Sequence, residues 1–338
     1  MSTIPGEVIL QIVESLIPST SRKIHPPSDI VTQTLISLTL ACKPTYHPAR
    51  QLLFRHCLYV DSIERLDNLF DKSGYFVDND TNGTDQCIQA YSLFLAPFPP
   101  GKLDEPHIVH QIDRLFSHLR SSLRNLVINI PLRYLYPEDD VQGLRKTLRV
   151  AFSRLTALED FCSVQDELFL NAVEEEIEPQ IWPTWPRLRR LALYNPCVNG
   201  DFVENLLQCP NITHVVLTRA DSYMDEPLPP SVAERLPLPG LKRVLVINTK
   251  EGRLRDAHIR DSTGRETSFW GRLLLAQCPE WNDWKEREVG ALLVYADVPM
   301  PPGQGGDNIH LLQEWLCARA VDGTLWEFPG VHYTLDDA

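Results

Sequence analysis

The residues of this chain that could bind a metal ion are concentrated around His107 and His110. Asp104, Glu105 and Asp113 are near them in the sequence, and imidazole and carboxylate groups are common metal ligands. Two histidines three positions apart on a helix, without a further pair of ligands, are nevertheless more typical of a solvated helix face. We therefore predict no metal site and no cofactor.

Other catalytic patterns lack essential parts. The loop with Gly303, Gly305 and Gly306 has no phosphate-binding lysine and follows several prolines, so it is predicted to be a linker. The acidic run at 174–178 is predicted to be a solvated helix end, because no second carboxylate pair marks a general acid and base. Neither a Gly-x-Ser-x-Gly elbow nor a cysteine-protease signature is present. These absences favour a protein without catalytic activity.

The composition narrows the possible partners and compartments. With 338 residues, 43% hydrophobic and 23% charged, the chain can bury a large core. The net charge of −13 argues against binding to nucleic acid or an anionic membrane, since both require a basic surface. The eight cysteines form no CxxC pair and are expected to be reduced thiols in the cytoplasm or nucleus. The apolar run at 8–17 contains polar residues and has no basic residues before it, so it resembles neither a signal peptide nor a membrane span.

One short sequence pattern, which we call the phrase, recurs between Trp185 and Lys250. An apolar residue is followed three and five positions later by further apolar residues, as in Leu188, Leu191 and Leu193. The phrase returns at Ile212 and Leu241, and also at positions 88, 123, 155 and 289, although the copy at 155 has Asp160 in an apolar position. This recurrence is typical of the strand of a leucine-rich repeat, whose inward residues alternate with outward ones.

Helical patterns occur between these strands, for example at 108–119 and 202–207. The sequence therefore predicts an α/β fold: an irregular leucine-rich-repeat solenoid at 58–298, with a parallel sheet on its concave face and helices outside. The remaining section at 299–338 contains a loop, a helix and a tail. Five of the seven tryptophans lie at 270 or later, and they are predicted to form a cap on the open end of the solenoid; an anchor for a partner is the alternative.

The phrase also predicts rows of side chains on the concave face. Arg190, His214 and Arg243 take the third position, Ala192, Val216 and Leu245 the fifth, and Tyr194, Thr218 and Ile247 the seventh. In parallel, in-register strands each set lies side by side, about 5 Å apart. A basic row beside an apolar row is suited to an acidic or phosphorylated protein target. The predicted substrate-binding residues are Arg190, Tyr194, His214, Val216, Arg243 and Leu245; alternatively, exposed strand positions merely tolerate arginine and histidine.

The N-terminal residues resemble the F-box. The segment IPGEVILQIVESL at 4–16 is similar to its opening phrase, and TLISLTLACKPTYHPARQLLF at 34–54 is similar to its second half. The resemblance covers residues 4 to about 60. The segment between the two halves is longer than usual, and Tyr46 stands near a position where tryptophan is common.

This resemblance implies a three-helix motif at 1–57 that binds the Skp-type adaptor of a cullin-RING ubiquitin ligase. The adaptor contacts that it implies include Ile4, Pro5, Val8, Ile9, Ile12, Leu16, Leu38 and Leu40. The alternative is that these apolar residues form only the internal core of a helical hairpin.

The expected function is therefore recognition of a protein substrate for SCF-type ubiquitin ligation. A second reading is a repeat scaffold that binds proteins independently of any ligase, with the N-terminal helices capping the repeats. In that case Val8, Ile12 and Leu16 would be buried against the first repeat. A hydrolase would require a pocket with a strongly perturbed titratable group, which no sequence motif indicates.

Overall fold

The computed structural model describes residues 5–18, 20–71, 89–173, 178–220, 227–236, 238–249, 268–277, 292–301 and 309–332. Within these ranges the chain is a mixed α/β protein built around one nine-stranded sheet. Both faces of the sheet are covered: one by a large hydrophobic cluster with several helices, the other mainly by the C-terminal helix. Three further helices form a separate cluster at the N-terminus.

The N-terminal helices are α1 (Gly6–Ser15), α2 (Ile30–Ala41) and α3 (Lys43–His56). Pro5 directly precedes α1, where the absence of an N–H group is tolerated. Asp29 caps α2 by accepting a hydrogen bond from the Val31 amide at 2.8 Å. Val13, Leu35 and Leu52 supply one buried side chain from each helix, so the three helices share a core.

The strands are β1 (Leu58–Val60), β2 (Ser92–Leu95), β3 (Asn125–Ile128), β4 (Asp160–Ser163), β5 (Arg190–Tyr194), β6 (His214–Thr218), β7 (Arg243–Thr249), β8 (Leu292–Val298) and β9 (Val331–His332). They lie in the sheet in the order of the chain. The first eight are parallel, and β9 pairs antiparallel with β8 at one edge. The predicted parallel sheet is confirmed.

Among the described residues, six helices lie between consecutive strands: α4 (Ile63–Asp71), α5 (Pro106–Leu119), α6 (Leu144–Ser153), α7 (Gly200–Leu207), α8 (Pro230–Ala233) and α9 (Phe269–Gln277). Their apolar residues recur at three- and four-residue spacing and pack against the sheet. Phe116 of α5 contacts Phe152 of α6 at 5.0 Å between ring centroids. Short 3₁₀ turns occur at Leu132–Tyr134, Pro137–Asp139 and Trp182–Thr184.

The predicted strand register is right for four copies of the phrase and wrong for three. Leu126, Leu191, Val215 and Val244 are paired in one buried row, as expected for the phrases that begin at 123, 188, 212 and 241. In the other copies this row contains Leu93, Phe161 and Leu293, so their phrases begin at 90, 158 and 290 instead of 88, 155 and 289. In a strand that is buried on both faces, apolar spacing permits more than one register, and in these three copies a register other than the predicted one forms.

The last helix, α10 (Ile309–Asp322), lies on the face of the sheet that was predicted to be open. Leu312, Leu316 and Ala320 are buried there in one cluster with side chains of β2 to β8. The expectation that this helix caps the open end of the repeats is therefore wrong; β9 covers the edge of β8 instead. Trp281 and Trp284 lie outside the described residues.

Candidate functional site

The predicted row of basic residues forms as expected. Arg190 is paired with His214 in the neighbouring strand, and His214 with Arg243 in the next one. The fifth and seventh positions of the three strands pair in the same way. The parallel, in-register arrangement that the sequence predicts is confirmed for β5, β6 and β7.

The expectation that these rows face solvent is wrong. Arg190 is 8% exposed, and Tyr194, Val216 and Leu245 are buried, whereas His214 and Arg243 are half-buried. The fifth-position side chains are apolar and lie against α10, whose inward residues have similar character. Covering an apolar sheet face removes its side chains from water and so favours the folded state, and α10 covers this face. The six predicted substrate-binding residues therefore do not form an open surface.

The third-position row is polar across most of the sheet. It continues from Asn125 and Asp160 to Arg190, His214 and Arg243. Nη1 of Arg190 donates to Oδ2 of Asp160 at 2.7 Å. Arg243 donates through Nη2 to the backbone carbonyl oxygens of Phe328 and Pro329. The arginines of this row are thus engaged by groups of the same chain.

Burial and neighbouring charges set the protonation of the row. Burial raises the pKa of Asp160 to about 6, although Arg190 and Arg22 favour its ionised form. Burial, followed by the charge of Arg190, lowers the pKa of His214 to about 4. His214 is therefore neutral at pH 7, and the charged residues of the row are Asp160, Arg190 and Arg243.

The long segment between α1 and α2 is anchored to this cluster. Ile24 is completely buried, and its amide donates to the Val321 carbonyl oxygen at 2.8 Å. The carbonyl oxygen of Arg22 accepts a hydrogen bond from Nδ2 of Asn125 at 2.8 Å. Lys23 forms ion pairs with Asp29 and Asp322. The segment thus connects the N-terminal helices to both the sheet and the end of α10.

The predicted adaptor-binding residues lie mostly on the surface of the N-terminal helices. Val8 is 41% exposed, Ile12 is 55% exposed and Leu40 is 83% exposed. Pro5 is also exposed, whereas Ile9, Leu16 and Leu38 are half-buried. Ile4 lies outside the described residues.

The candidate metal ligands are engaged by other side chains. A ring nitrogen of His107 lies 2.6 Å from a carboxylate oxygen of Asp67, and Asp113 forms an ion pair with Arg154. Among the described residues, no group of three or more histidine, cysteine or acidic side chains is placed to bind a metal ion. Gly303, Gly305, Gly306 and residues 174–177 lie outside the described residues.

The chain matches no protein-family model, and no curated protein matches it. Among the described helices, none is long and apolar enough to cross a membrane.

Sequence reasoning missed two fully buried charged residues, Arg145 and Asp166. They lie near the carboxyl ends of β3 and β4, where they organise the loops that follow these strands. Arg145 donates hydrogen bonds to four backbone carbonyl oxygens, and Asp166 accepts from three backbone amides. No short motif predicts such contacts, because the partners are backbone groups whose positions depend on the fold.

Proposed function

We propose that this protein is a substrate-recognition subunit of an SCF-type cullin-RING ubiquitin ligase. In this proposal α1, α2 and α3 form an F-box that binds the Skp-type adaptor. The sheet and its helices form a degenerate leucine-rich-repeat solenoid that carries the target protein. The chain itself performs no catalytic step; it brings the target to the ligase.

The exposed apolar surface of the N-terminal helices is the observation that carries this proposal. Fourteen large hydrophobic side chains are exposed among the described residues, and half of them lie on these helices: Val8, Leu10, Ile12, Ile30, Ile36, Leu40 and Tyr46. Concentrated apolar exposure is typical of a surface that another protein covers. The other seven are distributed over the remaining described residues, which are about six times as many as the residues of the three helices.

The exposed residues are also placed on defined helix faces. Val8 and Ile12 are four positions apart on α1, and Ile36 and Leu40 are four positions apart on α2, so each pair shares a face. The internal core of the three helices uses other residues, including Val13 and Leu35. The helices therefore have one apolar face for each other and a second apolar face directed to solvent, as an adaptor-binding unit requires.

The arrangement of the sheet supports the repeat part of the proposal. Eight parallel strands follow the chain order, and the four best phrases lie in register. In a repeat protein each unit packs on its sequence neighbours, which produces this order. The described strands lie in unbroken chain order, without the reversal of strand order that characterises a doubly wound α/β sheet.

The scaffold alternative predicts a different degree of burial for the same residues. If the N-terminal helices only capped the repeats, Val8 and Ile12 would be buried, yet both are exposed. Leu16 is half-buried against the core of the helical unit. The exposure of α1 therefore favours adaptor binding over capping.

A direct binding measurement tests the proposal. We expect purified Skp-type adaptor to bind the intact chain, and we expect Ile12→Glu and Leu40→Glu each to weaken binding at least about tenfold, because a charge in an apolar interface is strongly unfavourable. Val150→Glu is the matched control, since Val150 is exposed on α6, far along the chain from the three helices. Absence of binding by the intact chain, or equal loss in the control, would refute the proposal.

A further inference from the structure

The loops after β3 and β4 form an exposed aromatic surface, which we call the tyrosine ledge. It consists of residues 131–143 and 165–173, at the carboxyl ends of two adjacent parallel strands. Tyr134 is 66% exposed and Tyr136 is 45% exposed. In open parallel sheets the carboxyl ends of the strands are the usual location of binding sites. The concave face cannot have this role here, because α10 occupies it.

A buried arginine holds the two loops of the ledge together. The Arg145 side chain is fully buried, and its Nη1 donates to the carbonyl oxygens of Leu132, at 2.9 Å, and Leu135. Its Nη2 donates to the carbonyl oxygen of Phe169 at 2.8 Å. One guanidinium group thus fixes backbone atoms of both loops. Burying a charged group costs free energy, which these hydrogen bonds offset.

The buried carboxylate of Asp166 also connects the two loops. Asp166 accepts hydrogen bonds from the amides of Leu132, at 3.1 Å, and Leu168, at 2.8 Å. Leu168 has a φ of 65°, a left-handed conformation that is uncommon for a leucine. The ledge is therefore held in one conformation by long-range contacts, so its exposed side chains are preorganised for binding.

The exposed aromatic rings are supported by the same framework. The Tyr136 ring contacts the Phe169 ring at 6.2 Å between centroids, and the guanidinium of Arg145 lies 4.5 Å from the centre of the Phe169 ring. Tyr134 lies against Gly101, where an added Cβ would be 3.2 Å from the tyrosine ring. Tyrosines that are fixed in this way lose little conformational entropy on binding, which is why such residues recur in protein interfaces.

The charge of the ledge indicates which partner it suits. Arg133, its exposed cation, is paired in a bidentate manner with Glu167. Glu138 and Asp139 are exposed and form no ion pair with the described residues. These two carboxylates lie in the same loop as the exposed tyrosines. Both kinds of group attract a cation, since the carboxylates are negatively charged and the face of an aromatic ring is electronegative.

We propose that the tyrosine ledge binds a basic segment of a partner protein, with arginine or lysine side chains against Tyr134 and Tyr136 and paired with Glu138 and Asp139. This binding does not require the ligase. Only the further step, in which the bound protein is the target for ubiquitin transfer, rests on the proposed function.

Binding of a fluorescent peptide that alternates arginine and alanine tests the ledge directly, in the intact chain and at an ionic strength of about 0.15 M to screen diffuse attraction. We expect Tyr134→Ala/Tyr136→Ala to weaken binding at least about tenfold and Glu138→Gln/Asp139→Asn at least about fivefold, because ring and charge contacts are each lost. A glutamate–alanine peptide should not bind. We expect these variants to leave adaptor binding unchanged, so failure of the ledge and failure of the proposed function give different results.

Two matched controls separate the ledge from the general acidity of the chain. Asp201→Asn/Glu204→Gln removes the same charge from exposed positions on α7, and Val150→Ala removes an exposed apolar side chain from α6. Both are expected to change the dissociation constant by less than about twofold, as surface changes outside a binding site usually do. No binding by the arginine peptide, equal binding by the glutamate peptide, or an equal loss in either control would overturn the proposal.

Discussion

Arg190 and Asp160 form a buried ion pair across β5 and β4, with 2.7 Å between Nη1 and Oδ2. The same carboxylate oxygen is 3.4 Å from Nε of Arg22 in the segment between α1 and α2. Asp160 thus connects two strands of the sheet to the segment that leads to the N-terminal helices. Arg190, which was predicted to contact a substrate, thus lies in a buried ion pair within the chain.

Replacing Arg190 is therefore expected to affect stability. Arg190→Met leaves Asp160 buried with one arginine instead of two, and we expect the free energy of unfolding to fall by about 3 kcal/mol. Chemical denaturation measures this change. Arg189→Met is the control, because Arg189 is the exposed neighbour in the sequence, and its effect should remain within about 0.5 kcal/mol. Equal stability of the two variants would contradict a stabilising role of the ion pair between Arg190 and Asp160.

The covering of the sheet by α10 predicts a large effect at Leu316. This side chain is completely buried between the helix and the sheet, so Leu316→Ala should lower the free energy of unfolding by about 3 kcal/mol through the cavity that it creates. Glu314→Ala on the exposed side of the helix should have little effect. Thermal or chemical unfolding measures the stability of both variants. An unchanged free energy of unfolding in Leu316→Ala would show that α10 is not part of the core.

His56 is expected to make stability dependent on pH. Burial, followed by His25 and Arg55, lowers its pKa to about 4 in the folded protein. As the pH falls below about 6.5, the unfolded chain binds a proton at this site that the folded chain binds only near pH 4, so the free energy of unfolding decreases over this range. His56→Gln should weaken the decrease between pH 7 and pH 4.5 by about 2–3 kcal/mol. The exposed His47→Gln variant should retain the pH dependence of the wild type, and a His56→Gln variant that also retained it would exclude the titration of His56.

Arg145 is expected to determine the rigidity of the tyrosine ledge. Arg145→Met leaves the carbonyl oxygens of Leu132, Leu135 and Phe169 without this donor, at a cost of about 3 kcal/mol in the free energy of unfolding. In this variant, amide hydrogen exchange in residues 131–143 and 165–173 should increase relative to the wild type, and by more than exchange in the strands of the sheet. Lys146→Met changes the exposed neighbour and should leave exchange in both loops unaltered. Unchanged exchange in Arg145→Met would show that other contacts hold the ledge.

Local patterns were sufficient to predict the strands and much of their register. The alternation of Leu188, Leu191 and Leu193 identifies the inward face of β5, and the same spacing aligns β6 and β7 beside it. The helices at 108–119 and 202–207 follow similarly from their three- and four-residue spacing. The sequence also indicates burial on both faces of these strands. Runs such as LALY and VLVI are apolar at successive positions, which is typical of strands buried on both faces.

By itself, the sequence determined which residues of β5, β6 and β7 lie side by side, because the alternation of faces follows from the local spacing of apolar residues. Only the tertiary structure decided which face meets solvent. Burial of Val216 and Leu245 depends on Leu312 and Leu316, which lie far along the chain, and such packing is set by the whole fold. For the same physical reason, Tyr134 and Tyr136 could not be recognised as a surface until Arg145 and Asp166 were seen to hold their loop.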